Sequence, residues 1–457
     1  MPDRPVVLAS NRGPLSFHVG EDGAVGARRG AGGLVSGLAP AVSGWGATWI
    51  AVAMTDADRA TARQGVVEAE GLRTRLLAID EDVYRAAYDV ICNGTLWFLH
   101  HGLFESARQP RFDRAWHDAW AAFGAYTDAF ARGVAESAPE RAVVLLQDYH
   151  LSLAARRLAE LRPDLSCVHF AHTPFASPEG LAMLPDAARS QLVDGLAANA
   201  ACGFHTSRWA EEFLTSTRAA GADPPPTFVA PLGADADDLR TVAASPACEA
   251  ALAELDERVG DRCVLARVDR VELSKNLLRG FLAFDELLER WPHWRERVTF
   301  AAYVYPSRVG LAEYVAYRAE VEQLVAEIND RWATGDWVPV LLEVSDDFPR
   351  SVAALRRYDA LLVNPVRDGM NLVAKEGPLV NERAGSLLLS PETGAWDELG
   401  DASIEVHPYD ISATAAAIAA SLELGPDERA RRAETLRARC EDHSPTEWLS
   451  RLVLAGR

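Results

Sequence analysis

The sequence contains 457 residues, of which 49% are hydrophobic and 25% charged. These proportions are typical of soluble globular proteins and exclude a disordered chain, a collagen-like repeat and a coiled coil. At about 100–200 residues per domain, the length predicts two domains, or three at most. The 46 basic and 66 acidic residues give a net charge of −20, which disfavours nucleic acid and anionic membranes as partners. Only two of the basic residues are lysines, Lys275 and Lys375.

The six cysteines are scattered, with neither paired nor metal-ligand spacing. The sequence shows no secretory signal at its start and no apolar stretch long enough to span a membrane. We therefore expect reduced thiols, no membrane association and a cytoplasmic location.

Short apolar runs alternate with longer amphipathic stretches, a pattern typical of parallel sheets covered by helices. The predicted strands lie at residues 6–10, 48–52, 142–147, 166–172 and 227–230, and then at 262–268, 298–304, 338–344, 360–365, 387–390 and 403–407. The predicted helices include residues 151–161, 277–290 and 445–453.

The strongest candidate domain boundary follows Gly233, where an acidic stretch from Ala234 to Asp237 is expected to open a helix-poor segment. We predict an α/β fold of two doubly wound Rossmann-like domains, residues 1–233 and 234–444, with the last helix, 445–457, packing back on the first domain. Because such sheets bind ligands at the carboxyl ends of their strands, we expect a substrate cleft between the domains.

Three polar clusters follow the predicted elements of the first half. Arg12 lies in a loop after the first strand, and Gly33 lies in a glycine-rich stretch that could present backbone N–H groups to phosphate. Tyr88 and Trp97 could stack on a sugar ring or belong to the core, and the nearby His100 and His101 are interpreted as structural.

Asp148 follows one predicted strand and His172 ends the next, where the active site of an α/β protein is expected. A structural histidine is the alternative interpretation. No nucleophile elbow occurs nearby, which disfavours nucleophilic hydrolysis.

Two clusters stand out in the second half. Arg270 and Lys275 lie in a strand-to-helix turn, where both could reach one diphosphate, although a solvated surface turn has the same composition. Asp368 and Gly369 follow a buried strand, and a helix beginning at residues 370–372 would offer free N–H groups to phosphate. Glu376 lies eight residues after Asp368, about two helical turns, so both carboxylates could face one site. Paired carboxylates also occur in glycoside hydrolases, but the helix N-terminus favours phosphate.

The strings SNR, DYH, HTPF, R-x4-K and DGMNLVAKE occur in this order, and the chain resembles the trehalose-6-phosphate synthases of glycosyltransferase family 20, of the actinobacterial type, over nearly its whole length. The resemblance implies a GT-B fold with the acceptor domain first and the nucleotide domain second. It implies transfer of glucose from a nucleoside diphosphate glucose to glucose 6-phosphate, giving α,α-trehalose 6-phosphate with retention. It also implies that no metal or other cofactor is required and that the partners are small-molecule substrates.

The resemblance further implies site residues. Arg12 and Arg308 would bind the acceptor phosphate, and the full acceptor set would be Arg12, Trp49, Tyr88, Trp97, Asp148 and Arg308. The donor set would be Gly33, Arg270, Lys275, Asn364, Asp368, Gly369, Met370, Asn371, Leu372 and Glu376. The groups taken as catalytic are His172, Asp148, Arg270 and Lys275. The role of Lys375 is left open.

Two positions depart from the family pattern. Asn276 stands where a glycine is usual, and Asn364 stands where enterobacterial relatives have a threonine. Guanine presents N–H donors that uracil lacks, and Asn364, Asp346 or Asp347 could accept from them. We therefore expect GDP-glucose as the donor, with UDP-glucose as the alternative.

Three other functions are compatible with the pattern. They are a pseudo-glycosyltransferase that couples cyclitols, a synthase of another sugar phosphate and a catalytically silent nucleotide-sugar sensor. The retained acceptor-phosphate and AKE residues disfavour the first, and the retained cations and His172 disfavour the third. The sequence does not determine the oligomeric state, and a homo-oligomer is compatible with it.

Overall fold

The computed structural model describes residues 3–19, 25–29, 38 and 42–457. The chain forms two compact units. The first comprises Met1–Leu232 together with Pro445–Arg457, and the second comprises Gly233–Ser444. The change from one unit to the other falls one residue before the boundary expected from the sequence.

The first unit is built on a largely parallel sheet. Its strands, with those of a separate hairpin, are β1 (Val6–Ala9), β2 (Leu15–Val19), β3 (Val25–Arg29), β4 (Thr48–Val52), β5 (Val66–Ala69), β6 (Leu72–Leu77), β7 (Val143–Gln147), β8 (Ser166–Ala171), β9 (Ala201–Phe204) and β10 (Thr227–Val229). The sheet order is β10-β9-β8-β7-β1-β4-β6-β5, and only β5 runs antiparallel to its neighbour. β2 and β3 form the antiparallel hairpin. The central strands β1, β4 and β7 are buried along their whole length, as parallel strands covered on both faces must be.

Helices follow most of these strands. They are α1 (Asp56–Ala62), α2 (Glu81–Arg85), α3 (Trp97–His101), α4 (Arg114–Ser137), α5 (Ala154–Leu161), α6 (Pro178–Leu181), α7 (Asp186–Ala197) and α8 (Ser207–Ala219). The long helix α4 begins where Asp113 accepts a hydrogen bond from the N–H of Trp116, and it packs on β1, β4 and β6. A π-helix, Ala86–Leu96, joins α2 to α3.

The second unit has a fully parallel sheet of six strands. They are β11 (Cys263–Arg270), β12 (Val298–Tyr305), β13 (Val340–Val344), β14 (Ala360–Val363), β15 (Ser386–Leu389) and β16 (Ile404–Glu405), in the order β13-β12-β11-β14-β15-β16. Successive residues of β11 belong to different cores, because Val264 and Ala266 pack into one hydrophobic cluster and Leu265 into another. The sheet therefore has a core on each face.

The helices of the second unit are α9 (Ala236–Ala243), α10 (Pro246–Val259), α11 (Leu277–Arg290), α12 (Ala312–Trp332), α13 (Phe348–Arg357), α14 (Val373–Val380), α15 (Trp396–Leu399), α16 (Ile411–Leu422) and α17 (Pro426–Glu441). The prediction of a helix-poor segment after Ala234 was wrong, because α9 and α10 begin almost at once. Asp235 and Ser245 cap these two helices by accepting hydrogen bonds from the N–H groups of Asp238 and Cys248.

The last helix, α18 (Pro445–Ala455), belongs to the first unit, where it packs on β7 and β8. Its Trp448 is buried and meets Phe170 edge to face, with the ring centroids 4.8 Å apart. Among the described residues, no helix is both long and apolar enough to cross a membrane.

Candidate active site

The loop after β1 is held by buried hydrogen bonds. Ser10 Oγ accepts from the indole N–H of Trp49 at 2.7 Å and donates to the carbonyl of Arg12 at 2.6 Å. The amide oxygen of Asn11 accepts from the hydroxyl of Tyr126 at 2.8 Å. Arg12 itself is exposed at the end of this anchored loop. The loop therefore presents one cation from a fixed backbone at the carboxyl edge of the sheet.

An aromatic stack lies near this loop. The ring of Tyr88, in the π-helix, stacks on Tyr84 with centroids 5.2 Å apart and on His150 with centroids 5.7 Å apart. Burial raises the pKa of Tyr84, and its hydroxyl accepts from Asn11 Nδ2 at 3.3 Å. π-helical segments occur often at functional sites, and this one sets Tyr88 between two rings.

Two of the predicted acceptor residues are enclosed in the core. Trp49 lies in the central strand β4 and has no exposed surface. The only polar atom of its side chain, the indole nitrogen, is bonded to Ser10. Trp97 is 2% exposed and stacks on His101, with ring centroids 4.3 Å apart. Trp97 was expected to hold the acceptor sugar and Trp49 to line the cleft, but with 2% and 0% of their surfaces exposed the two indoles offer almost no surface for direct contact. They support the loop and helix behind the site.

Asp148 has an unusual backbone. Its φ of +67° and ψ of 172° lie in a region that residues other than glycine rarely adopt, which costs about 1–3 kcal/mol. The conformation lets Asp148 Oδ1 accept from the N–H of His172 at 3.1 Å, while the N–H of Asp148 donates to the carbonyl of Phe170 at 2.7 Å. Strain of this kind concentrates at functional sites. β7 and β8 thus deliver Asp148 and His172 to one point.

The ring of His172 is bonded to a side chain that the sequence did not single out. Nε2–H of His172 donates to Gln147 Oε1 at 2.9 Å, and Gln147 is 1% exposed at the end of β7. Burial, with a smaller contribution from His169, lowers the pKa of His172 to about 3. The imidazole is therefore neutral at physiological pH.

In the second unit, the carboxyl ends of β11 and β14 bring a lysine and an aspartate together. Lys275 Nζ donates to Asp368 Oδ2 at 2.6 Å and lies 4.0 Å from Asp269 Oδ1. Burial alone would lower the pKa of Lys275, but these two carboxylates outweigh it and raise the pKa. The lysine is therefore charged and fixed in place.

One buried carboxylate holds two arginines. Glu272, which is 1% exposed, accepts from Arg308 at 2.6 Å, from Ser307 Oγ at 2.8 Å and from a terminal nitrogen of Arg270 at 3.5 Å. Its Oε1 also forms an ion pair with Arg270 Nε at 3.0 Å. Burial alone would raise the pKa of Glu272, but Arg270 and Arg308 lower it to about 2. The sequence signal for Glu272 is its place between the two cations of RVELSK, a motif whose cations alone were assigned a role. Glu272 orients Arg270, the last residue of β11, and Arg308, which follows the neighbouring strand β12.

The loop after β14 differs from the prediction. Helix α14 begins at Val373 rather than at residues 370–372, because Asn371 has φ +74° and its Oδ1 accepts from the N–H of Ala374. Met370 is buried, and the N–H of Glu376 already donates to the carbonyl of Leu372. Asp368 therefore lies outside the helix, and its relation to Glu376 is not one of two helical turns.

Glu376 and Lys375 point to different environments. Burial, aided by the charge of Asp238, raises the pKa of Glu376 to about 7. Lys375 is 1% exposed, and its Nζ donates to Glu398 at 2.6 Å. Lys375 thus ties α14 to α15. The geometry gives it a structural role, which the sequence had left open.

The structure explains both departures from the family pattern. Asn276 has φ +60°, in the left-handed region that glycine favours and asparagine tolerates, and it stands at the start of α11. Asn364 is 1% exposed, and its Oδ1 accepts from Arg267 at 2.7 Å. The role expected of Asn364 as an acceptor for a guanine ring is therefore corrected, because that oxygen is already bonded.

The described residues place the remaining predictions as follows. Arg12, Tyr88, Asp148 and His172 gather at the carboxyl ends of β1, β7 and β8, and Arg270, Lys275, Arg308 and Asp368 gather at those of β11, β12 and β14. Gly369 is buried beside Gly394, where a Cβ would collide with the Gly369 carbonyl. Gly33 lies outside the described residues. Within the described part of the chain, no group of three or more His, Cys, Asp or Glu side chains could hold a metal ion.

Comparisons with known proteins agree with this geometry. The model of glycosyltransferase family 20 matches residues 4–455. Alpha,alpha-trehalose-phosphate synthase [UDP-forming] 1 of Arabidopsis thaliana is 32% identical over 98% of this chain, and the chain spans 49% of that relative's length. A trehalose-6-phosphate synthase of Mycobacterium sp. (strain JLS) is 30% identical over 98% of this chain and 95% of its own.

Solved structures show the same architecture. An alpha,alpha-trehalose-phosphate synthase (UDP-forming) from Burkholderia xenovorans, in complex with glucose-6-phosphate, superposes with a TM-score of 0.85 at 25% identity, covering 98% of both chains. A homologous enzyme from Burkholderia vietnamiensis superposes with a TM-score of 0.84 at 26% identity, covering 98% of this chain and 99% of that one. The predicted α/β class with two Rossmann-like domains of the GT-B type is confirmed. On the family match and these identities, the chain belongs to glycosyltransferase family 20.

Proposed function

We propose that this protein transfers glucose from a nucleoside diphosphate glucose to glucose 6-phosphate and so forms α,α-trehalose 6-phosphate with retention at the anomeric carbon. The observation that carries the proposal is the set of cations fixed in the second unit, Arg270, Lys275 and Arg308. Each is held by a carboxylate at the carboxyl end of a parallel strand, where open α/β sheets bind nucleotides. Membership of family 20 supplies the class of reaction.

The donor diphosphate would bind at Arg270 and Lys275. Arginine offers a planar fork and lysine a compact charge, so together they can neutralise the charge that builds up on a departing diphosphate. Removing one such preorganised donor typically lowers the rate about a hundredfold or more. Glu376 would accept from the ribose hydroxyls, and Asp368 would accept from hydroxyls of the transferred glucose.

The acceptor phosphate would bind at Arg12 and Arg308. Arg12 stands on an anchored loop, and Tyr88 and Asp148 lie at the same edge of the first sheet. Asp148 would hold a sugar hydroxyl, and its backbone strain is consistent with a position set by function rather than by packing.

The chemical step would need no protein nucleophile and no metal. The acceptor hydroxyl would attack the anomeric carbon from the face that the diphosphate leaves, and a leaving phosphate oxygen would take the hydroxyl proton. Since positive charge develops on the transferred glucose, a neutral His172 beside it is favourable, whereas an imidazolium would repel that charge. Orientation and electrostatics would supply the acceleration.

For the donor base we propose GDP-glucose, with UDP-glucose as the competitor. Asn364 no longer offers an acceptor to guanine, and Asp347 caps α13 by accepting from the N–H of Arg350. Asp346 remains as an exposed carboxylate, close enough to raise the pKa of Tyr305 as a minor contribution beside burial. The relatives described as UDP-forming make UDP-glucose the second candidate.

One experiment tests the reaction and the donor together. The protein is incubated with glucose 6-phosphate and GDP-glucose or UDP-glucose, and the products are identified by NMR and by release of the nucleoside diphosphate. We expect α,α-trehalose 6-phosphate, formed faster from GDP-glucose at matched concentration. Faster turnover of UDP-glucose would overturn the proposed donor, and a different disaccharide, a cyclitol product or binding without turnover would overturn the proposed reaction.

A further inference from the structure

Arg267 is a charged side chain with no exposed surface, three residues before Arg270 in β11. Arginines are almost never fully buried unless they are paired. Its Nε donates to Asp269 Oδ2 at 3.1 Å, and one terminal nitrogen donates to the carbonyl of Lys275 at 2.5 Å and to Asn364 Oδ1 at 2.7 Å. All three partners belong to the segments that carry the proposed donor site.

A second side chain joins the same two segments. Asn276 Nδ2 donates to the carbonyl of Asn364 at 3.0 Å and to that of Pro408 at 2.6 Å. The N–H of Val366 donates to the carbonyl of Ser274 at 2.8 Å. Three hydrogen bonds therefore connect the turn that carries Lys275 with the loop that leads to Asp368. Arg267 bonds the side chain of Asn364, Asn276 bonds its carbonyl, and the N–H of Val366 bonds the carbonyl of Ser274.

The space for the guanidinium is provided by Gly280 in helix α11. A Cβ at Gly280 would collide with the other terminal nitrogen of Arg267, and this nitrogen has no hydrogen-bond partner among the described residues. An unbonded buried donor is unfavourable. The remaining hydrogen bonds of Arg267 must therefore offset this cost, and the glycine at position 280 leaves room for the guanidinium between α11 and β11.

Asp269 links the charge of Arg267 to that of Lys275. Asp269 compensates Arg267 through Oδ2, and its Oδ1 lies 4.0 Å from Lys275 Nζ. Arg267 therefore fixes both ends of the lysine, the carbonyl directly and the ammonium through Asp269. A fork with several donors in one plane can do this, whereas a single ammonium cannot.

We propose that Arg267 is a positioning residue of the donor site, which sets Lys275 and the Asn364–Asp368 loop in place before the nucleotide binds. The proposal rests on the proposed function, since it assumes that the donor diphosphate binds at Lys275. It explains why Asn364 Oδ1 is bonded to Arg267 and why a glycine occupies a helix interior at position 280.

The test compares Arg267→Lys with the wild-type protein. This variant keeps the charge and loses the fork. Calorimetric titration with UDP and with GDP measures binding without turnover, and initial rates give KM for each substrate. We expect binding of the nucleoside diphosphate to weaken by at least about tenfold and the donor KM to rise similarly, while the KM for glucose 6-phosphate stays within about twofold, because small displacements of positioning groups have effects of this size.

Two further variants complete the design. Gly280→Ala displaces the guanidinium while favouring the helix, so weaker nucleotide binding in this variant cannot arise from helix propensity, and it carries the test should Arg267→Lys not fold. Arg357→Lys is the matched control, because Arg357 is also buried, at 7% exposure. It pairs with Asp256 and with Asp359, which directly precedes β14, so this cluster lies at the opposite end of the strand from the donor residues. We expect this control to lower the melting temperature and leave nucleotide binding unchanged.

The outcomes separate the two proposals. Wild-type binding of a nucleoside diphosphate together with unchanged binding in Arg267→Lys and Gly280→Ala would overturn the positioning role and leave the proposed function intact. If the wild-type protein binds neither UDP nor GDP, the proposed function fails and the positioning role fails with it.

Discussion

Replacing Gln147 by glutamate should change the protonation state of His172. In the wild-type protein, the amide oxygen of Gln147 accepts from Nε2–H of His172 at 2.9 Å, and burial lowers the pKa of the imidazole to about 3. The other titratable groups around this ring are His169, His205 and Asp148. They are unchanged in Gln147→Glu, so the perturbation is the single new carboxylate.

The expected magnitude follows from the charge separation, which is about 4 Å between the centres of an imidazolium and a carboxylate in hydrogen-bond contact. Two unit charges about 4 Å apart attract by about 4 kcal/mol at an effective dielectric constant of about 20. One pKa unit corresponds to about 1.4 kcal/mol, so the attraction should bring the pKa of His172 back to the ordinary range of a histidine. The ring would then become an imidazolium as the pH falls through that range. In the proposed reaction, this cation would stand beside a sugar that gains positive charge.

NMR of the His172 ring and the pH dependence of kcat test this reasoning. We expect the wild-type ring not to titrate between about pH 5 and pH 8, and the Gln147→Glu ring to titrate there with a parallel loss of kcat toward acid. Gln147→Leu is the control, because it removes the acceptor without adding charge and should leave the pKa low. A His172 ring that titrates identically in Gln147→Glu and in the wild-type protein would refute the argument.

Three further predictions concern stability and binding. Glu376→Gln should remove a pH dependence of nucleotide binding measured by calorimetry, because the pKa of Glu376 is raised to about 7 and its charged form, the stronger acceptor, is lost below that pH. A Kd that varies equally with pH in both proteins would contradict this. Lys375→Met should lower the free energy of unfolding in denaturant by about 3 kcal/mol, since it leaves Glu398 without its buried partner, and should leave the donor KM unchanged. An unchanged denaturation midpoint would contradict this. Stability should fall as the pH decreases from about 6.5 to 4, because the pKa values of His169 and His172 are lowered to about 4 and about 3 and the unfolded chain binds protons first. Thermal unfolding at several pH values checks this, with a smaller slope expected in His169→Gln and an equal slope contradicting the assignment.

The sequence predicted those elements whose burial is complete. β12 is an almost continuous apolar run, and β11 is apolar up to Ala266 before the buried Arg267 interrupts it. α11 repeats apolar residues at helical spacing until Trp291-Pro292 ends it, so its observed bounds equal the predicted ones. β5 and β6 were missed because they lie at one edge of the first sheet, where β5 alternates between exposed and half-buried residues and β6 carries two arginines. An edge strand lacks the continuous apolar pattern on which the prediction relied.

The cations of the candidate site were predicted from the sequence, but the carboxylates that pair with them were predicted only in part. Arg270 and Lys275 follow from a motif of adjacent residues, whereas the Lys275–Asp368 pair joins residues far apart in the chain and depends on the adjacency of β11 and β14. Trp49 could not be separated from a sugar-binding indole by sequence, because both environments favour an aromatic ring. Asn364 was assigned to the base because guanine needs a hydrogen-bond acceptor, and its actual partner, Arg267, could not be foreseen because it lies on another strand.

The ion pairs at the candidate site of the second unit also bear on how an acidic protein could bind anions. Lys275 and Arg270 are already held in place by ion pairs with Asp368 and Glu272. Each carboxylate also accepts a hydrogen bond from a second side chain, Asn371 for Asp368 and Ser307 for Glu272. A diphosphate that binds here would exchange one anionic partner for another and would order few side chains, which lowers the entropy lost on binding. The carboxylate that is displaced would remain hydrogen-bonded, so its burial would not oppose the exchange. Local pairs of this kind would let the proposed site bind phosphate despite the net charge of −20.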